Sequence, residues 1–326
     1  MKAILVKEKG GPENLILTDY EMPVPREGYV LIAVKAFGIN RAELYMRKGD
    51  WGDTADIIGI ECVGVVVEDP SGGLTEGQSV AAMVGGMART INGSYAEYVL
   101  VPKSNVIPFR SGLPWNELAA IPEAYATAWG ILNWGLDARA GETLLIRGGT
   151  STIGMAGIIL AKQMGMTVIA TTRSEEKIPG LKELGVDEVV IDNGDISRSV
   201  LAICPDGVDK LMELIGTPTL ADSFRCTRAM GSVCLAGFLG GLMPMEQFQP
   251  IFQLPNSIRL TTLASALAFG QKGFELSKIP LARIIRDIEE GRIPNILRKT
   301  FPAACIGEAH RAVEGNRING KVVVQW

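Results

Sequence analysis

Apolar residues along the chain fall into two textures. Over roughly the first hundred positions they come in short runs broken by glycine and proline: Ala3 to Val6, Leu15 to Thr18, Tyr29 to Phe37, Glu61 to Glu68, Ser79 to Met83 and Ser94 to Val101. Runs of that length between such breakers predict strands, and so many of them predict a β-rich domain. From Ala124 the texture turns helical and then alternates. Strands are expected at Thr143 to Ile146, Thr167 to Thr172, Glu188 to Ile191, Lys210 to Leu214, Ser232 to Ala236 and Arg259 to Leu263, with helices from Ile153, over Pro179 to Leu184 and over Thr219 to Met230. That alternation predicts a parallel sheet covered on both faces. Helices at Leu281 to Glu290 and Gly307 to Glu314 and a last strand, Lys321 to Gln325, then return the chain to the first domain.

The most informative stretch is TLLIRGGTSTIGMAGIILAKQMG, Thr143 to Gly165. A strand stops in a glycine- and hydroxyl-rich turn, and from Ile153 the apolar residues Ile153, Gly157, Leu160 and Met164 line one helical face. A turn of this kind leaves backbone amides unpartnered at the positive end of a helix dipole, which is an anion site that fits a pyrophosphate. Gly149, Ser151 and Gly154 hold the three places of the GxGxxG dinucleotide fingerprint, with serine where the middle glycine is usual. Ser151, Thr152 and the amides around Ile153 are therefore candidate phosphate ligands. An ordinary βα turn with a hydroxyl-rich N-cap would carry the same residues.

The second strand of such a unit usually ends in an acid that accepts from a ribose 2′-hydroxyl. Here it ends Thr171-Thr172-Arg173-Ser174, with Lys177 close behind. Two cations and their hydroxyl neighbours suit a 2′-phosphate, so NADPH is expected over NADH, with Arg173, Ser174 and Lys177 as its ligands. The same charges also suit a solvated helix entry.

Composition narrows the class. The chain has 326 residues, 47% of them hydrophobic, enough for two domains with substantial cores. A net charge of −4, scattered over the chain, argues against nucleic acid or an anionic membrane as partner and leaves a small-molecule substrate. Five widely spaced cysteines, Cys62, Cys204, Cys226, Cys234 and Cys305, suit reduced core positions and a cytoplasmic setting. The N-terminal apolar run is too short for a signal peptide, and no stretch reaches the length of a membrane span.

With these features in place the chain resembles the medium-chain dehydrogenase/reductases, in the zinc-independent quinone oxidoreductase, or zeta-crystallin-like, branch. The resemblance runs nearly end to end. It rests on GGPENL (10 to 15), GINRAELYMRKG (38 to 49), GSYAEYVLVP (93 to 102), ATAWGIL (126 to 132), the loop at 148 to 154 and GKVVV (320 to 324). It implies an α/β fold in which a Rossmann doubly wound parallel sheet, residues 123–264, is inserted in a discontinuous GroES-like catalytic domain, residues 1–122 and 265–326. It further implies reduction of a quinone or α,β-unsaturated carbonyl by NADPH in the cleft between domains, and homodimers joined at the Rossmann sheet edge.

The resemblance also assigns residues. Asn40 and Tyr45 are implied at the nicotinamide end, Tyr45 as a donor to the acceptor oxygen and Asn40 as an orienting group. Thr127, Ile215, Gly237 and Phe238 match positions around the nicotinamide. In zinc-dependent relatives a cysteine would take the place of Asn40 and a histidine that of Ile60; with neither, no CxxC and a single histidine, no metal is expected. Glu61 and Cys62 are expected to be a strand-start acid and a buried thiol, and His310 a surface residue of its helix. The pattern departs from the bacterial quinone reductases where Asp192-Asn193 replaces a phosphate-holding tyrosine and Thr262-Leu263-Ala264 a TRP-type segment. An enoyl-thioester reductase and a non-catalytic NADPH-binding protein on the same fold are the alternatives.

Overall fold

The computed structural model, which describes residues 1–316 and 318–326, divides the chain within the helix Pro122–Gly130. One unit is Met1–Ala126 with Ser265–Trp326, the other Thr127–Ala264. The first boundary lies four residues beyond the expected one because that helix runs on without a break.

The first unit opens with the hairpin β1 (Lys2–Val6) and β2 (Leu15–Asp19), paired antiparallel from Lys2 opposite Asp19 to Val6 opposite Leu15. Then come β3 (Tyr29–Gly38), helix α1 (Arg41–Lys48), β4 (Glu61–Glu68), β5 (Ser79–Met83), β6 (Tyr98–Pro102), β7 (Val106–Pro108) and helix α2 (Pro122–Gly130). β3 buries Val30, Leu31, Ile32, Val34, Ala36 and Phe37, and it is the strand to which β4, β6 and the last strand of the chain all pair. The expected strand at Ser94 to Val101 begins only at Tyr98. Ser94 and Tyr95 instead donate their amides to the carbonyls of Gly59 and Ile58, and the Tyr95 carbonyl accepts from Ile4.

The second unit runs β8 (Thr143–Arg147), α3 (Thr152–Gln163), β9 (Thr167–Thr172), α4 (Ile178–Glu183), β10 (Glu188–Ile191), α5 (Ser197–Ile203), β11 (Val208–Glu213), α6 (Thr217–Arg225), β12 (Thr227–Leu235) and β13 (Arg259–Thr262). Its strands form one parallel sheet in the order β10-β9-β8-β11-β12-β13. Leu145, Ile169, Val190, Leu211 and Val233, one from each of five adjacent strands, pack with Val200, Leu220 and Phe224 of the covering helices in its core. Strand order reverses between β8 and β11, the switch point at which open α/β sheets bind ligands outside their strand ends.

Two details depart from expectation. The helix expected over Thr219 to Met230 stops at Arg225, and a strand has begun by Thr227, which pairs with Val208. Helix α5 was not foreseen at all: its entry is capped from a distant element, the Asp222 carboxylate accepting from the amides of Ile196 and Ser197 at 2.9 and 3.2 Å.

The chain ends in the first unit with α7 (Leu281–Glu289), β14 (Leu297–Pro302), α8 (Ile306–Glu314) and β15 (Lys321–Gln325). β14, also unforeseen, is an edge strand paired with β15, and Arg298, Lys299 and Pro302 of its LRKTFP sequence are exposed. His310 on α8 is a correction. It is fully buried, with Nε2 2.9 Å from the Tyr95 hydroxyl, and burial followed by the nearby Arg47 charge pulls its pKa down to about 3. Among the described residues no helix is long and apolar enough to cross a membrane.

Candidate active site

β8 and α3 build the phosphate turn. Gly148, at φ +97° and one residue before the first place of the fingerprint, supplies the left-handed step. Gly149 serves close approach instead, since a Cβ there would stand 2.8 Å from the Ala170 Cβ. At Gly154 a Cβ would come within 2.4 Å of the Gly148 carbonyl oxygen, so this glycine lets the helix start fold back on the turn rather than on the strand. The residue facing the strands is Gly157, whose added Cβ would meet Met212 at 3.0 Å.

Ser151 is the N-cap of α3. Its Oγ accepts from Gly154 N at 3.0 Å and donates to Gly148 O at 2.8 Å. That commits its one proton locally, so the expected phosphate contact from the Ser151 hydroxyl gives way to a structural one. The first intrahelical bond runs from Met155 N to Ser151 O at 2.8 Å. The amides of Thr152 and Ile153 precede it and keep no intrahelical partner, and both residues are partly exposed. This is a cradle for an anion at the positive end of a twelve-residue helix.

At the end of β9, Thr172 Oγ1 and Ser174 close a turn on themselves: Ser174 N donates to Thr172 Oγ1 and Thr172 Oγ1 to Ser174 O, each at 3.2 Å. Arg173 is exposed and forms no salt bridge among the described residues, with Ser174 and Lys177 half-buried beside it in sequence. The sequence of this strand ends without an acid, and the carboxylate beside it, 3.4 Å from Thr171 Oγ1, is that of Asp192 just past β10. The expected neighbours of the nicotinamide occupy the ends of β11 and β12. Ile215 and Gly216 donate their amides to Glu213 Oε1 at 2.7 and 3.1 Å, and Gly237 donates to Glu213 O at 3.1 Å, with Phe238 following it. Thr127 is buried in α2.

In the first unit, Asn40 and Tyr45 lie at the start and on the body of α1. Asn40 N-caps the helix, and the Glu43 carboxylate reaches back to Asn40 N at 2.9 Å. The Asn40 amide is taken up by the protein: Nδ2 donates to Glu61 Oε1 at 2.9 Å and Oδ1 accepts from Lys321 Nζ at 2.5 Å. Lys321 Nζ in turn lies 2.6 Å from Glu61 Oε1, and Glu61 Oε2 accepts from Glu123 N at 2.8 Å. Glu43 also accepts from Ile60 N at 3.1 Å, and its burial pushes it up to about 7 against the donors that favour its charge. Asn40, itself half-buried, is thus hydrogen-bonded to the buried Glu61 and Lys321, which fixes its amide within the protein. Tyr45, one turn on, is half-buried with its ring 6.4 Å from that of Trp51.

Zinc does not fit these residues. Asn40 and Ile60 offer neither thiolate nor imidazole, both Glu61 oxygens are engaged, and burial pushes the Cys62 thiol up to about 12. Among the described residues no group of three or more histidine, cysteine and acidic side chains could hold a metal.

A six-stranded parallel sheet with a glycine-rich strand–turn–helix at its switch point, accompanied by a β-rich GroES-like unit, defines a two-domain dehydrogenase. Comparison with known proteins agrees. Residues 26–111 match the alcohol dehydrogenase GroES-like domain, and residues 152–267 match the zinc-binding dehydrogenase domain. The chain is 27% identical to a quinone oxidoreductase of Lama guanicoe, over 99% of this chain and 97% of that one. It is 25% identical to a 2-haloacrylate reductase of Burkholderia sp, over 99% and 98%. A mycobacterial protein solved in complex with NADPH superimposes with a TM-score of 0.88 at 26% identity, over 100% of both chains. The chain belongs to the medium-chain dehydrogenase/reductase family, in its quinone oxidoreductase branch. It is an oxidoreductase, and its fold is one that takes a nicotinamide cofactor.

Proposed function

We propose that the protein is an NADPH-dependent, zinc-independent oxidoreductase that reduces a quinone or the β-carbon of an α,β-unsaturated carbonyl. The observation that carries this reading is the end of β9, where the strand's sequence closes on Thr171-Thr172 without an acid and Arg173, next in sequence, stands exposed and unpaired among the described residues. The amides of Thr152 and Ile153 hold the pyrophosphate, and Arg173, Ser174 and Lys177 receive the 2′-phosphate. When bound, the reduced nicotinamide supplies the hydride. Thr127, Ile215, Gly237 and Phe238 line its ring. Tyr45 donates a hydrogen bond to the acceptor oxygen, stabilising the charge that develops there. Asn40, locked to Glu61 and Lys321, fixes the start of the helix that carries Tyr45.

The likeness to a 2-haloacrylate reductase supports the conjugated-alkene arm of this proposal. Following cofactor absorbance with NADPH and a panel of quinones and enones, with and without a chelator, tests the reading. Turnover that survives the chelator is expected; no turnover with any acceptor contradicts it.

A second copy of the chain is proposed to pair along β13. This strand is the edge of the parallel sheet, and Ile251 and Phe252, 82% and 86% exposed, stand in the segment leading to it, with Met230 also exposed. Sedimentation of wild type and Phe252→Asp checks this: a dimer is expected for the first and a monomer for the second.

A further inference from the structure

One buried guanidinium in the second unit ties the end of β8 to the end of β10, two strands away, and to α6. Arg147, the last residue of β8, is fully buried. Its Nε and Nη2 pair with Asp192 Oδ2 and Oδ1 at 2.8 and 3.0 Å, a two-pronged match to the carboxylate just past β10. Nη1 reaches Asp222 Oδ2 at 2.8 Å and, at 3.1 Å each, Ser223 Oγ and Thr219 O of α6, while Nη2 also donates to Gly194 O at 3.1 Å. Burial works against the charge, and the surrounding carboxylates of Asp192, Glu213 and Asp222 outweigh it.

The network continues on both sides. Toward the phosphate turn, Thr171 Oγ1 lies 3.4 Å from Asp192 Oδ2 and accepts from Gly148 N at 3.0 Å. Toward the other half of the sheet, Ser223 Oγ donates to Glu213 Oε2 at 2.5 Å, and Glu213 Oε1 accepts the amides of Ile215 and Gly216. An unbroken path of polar contacts therefore runs from the Gly148 amide to the Ile215 and Gly216 amides, with Arg147 at its centre. Apolar side chains of similar volume often stabilise a core as well as a buried ion cluster does. What a planar fork of donors adds is fixed geometry among the groups it holds.

We propose that Arg147 is a positioning residue that sets the phosphate turn and the Ile215–Gly216 loop at the separation a dinucleotide spans. Thr171 transmits its hold to the turn, and Ser223 transmits it to the loop. The proposal rests on the dinucleotide reading above and deepens it.

Calorimetric titration with NADPH and with adenosine 2′,5′-bisphosphate, which carries the adenosine half alone, tests it. Thr171→Val is expected to weaken both ligands about tenfold. Ser223→Ala is expected to weaken NADPH about tenfold and the bisphosphate by less than roughly twofold. Arg147→Met weakens both, and Arg147→Lys, which keeps the charge but not the fork, does not restore them. Circular dichroism melts report whether each variant is folded; if Arg147→Met is not, the split between Thr171→Val and Ser223→Ala decides alone. Folded variants that bind both ligands like wild type overturn the proposal, as does Ser223→Ala weakening both alike, the result of a merely structural role. Wild type that binds neither ligand removes the dinucleotide reading itself.

Discussion

Lys321 Nζ lies 2.6 Å from Glu61 Oε1 with both side chains fully buried, and the Asn40 amide spans the two. A buried pair of this kind is costly to break because the surviving partner is left charged and dry. Lys321→Met is expected to destabilise the fold by about 3–5 kcal/mol. The double variant Lys321→Met with Glu61→Gln should regain a large part of that loss. Urea denaturation of the three proteins checks both outcomes.

Tyr45 is the donor proposed for the acceptor oxygen. Tyr45→Phe keeps the ring and removes only the hydroxyl, so NADPH affinity should be unchanged while turnover falls about 10²-fold or more. Unchanged kcat would take Tyr45 out of the mechanism.

Arg173 is proposed to meet the 2′-phosphate through a charge-assisted contact, which NADH cannot use. Arg173→Ala should weaken NADPH binding by about tenfold or more and leave NADH binding within roughly twofold. Equal losses for the two cofactors would assign Arg173 another role.

His310 makes acid stability a local question. Its folded pKa, near 3, is depressed below the ordinary 6.5, so the unfolded chain binds the proton first as pH falls. Stability held by the neutral imidazole is therefore intact above about pH 6.5 and drains away toward pH 3, by about 2 kcal/mol at pH 5. His310→Gln lacks this titration. The stability difference between wild type and His310→Gln, measured by urea melts, should shrink by that amount from pH 7 to pH 5.

Where the determinants are local, the sequence is a good guide. β4 and β5 begin and end where their apolar runs do, and the parallel sheet follows from the alternation of strands and helices. The phosphate turn is legible too, although two adjacent glycines do not say which takes the left-handed step; only the backbone assigns it to Gly148. Residues whose environment is made by distant chain are not legible. EAHRAVE looks amphipathic with His310 on its polar side, yet its partner Tyr95 lies 215 residues away. Arg147 looks like a charge at a loop entrance until Asp192 and Asp222, 45 and 75 residues on, close around it. That the Asn40 oxygen accepts from Lys321, 281 residues distant, is equally beyond the reach of local sequence. The unforeseen helix α5 has the same cause, since Asp222 caps it from outside its own sequence.

The most direct test of the account is the ratio of kcat/KM for NADPH to that for NADH, measured on wild type with its best quinone or enone acceptor. Turnover with a preference for NADPH of about tenfold or more is expected. Preference for NADH, or no oxidation of either cofactor by any acceptor, would contradict it.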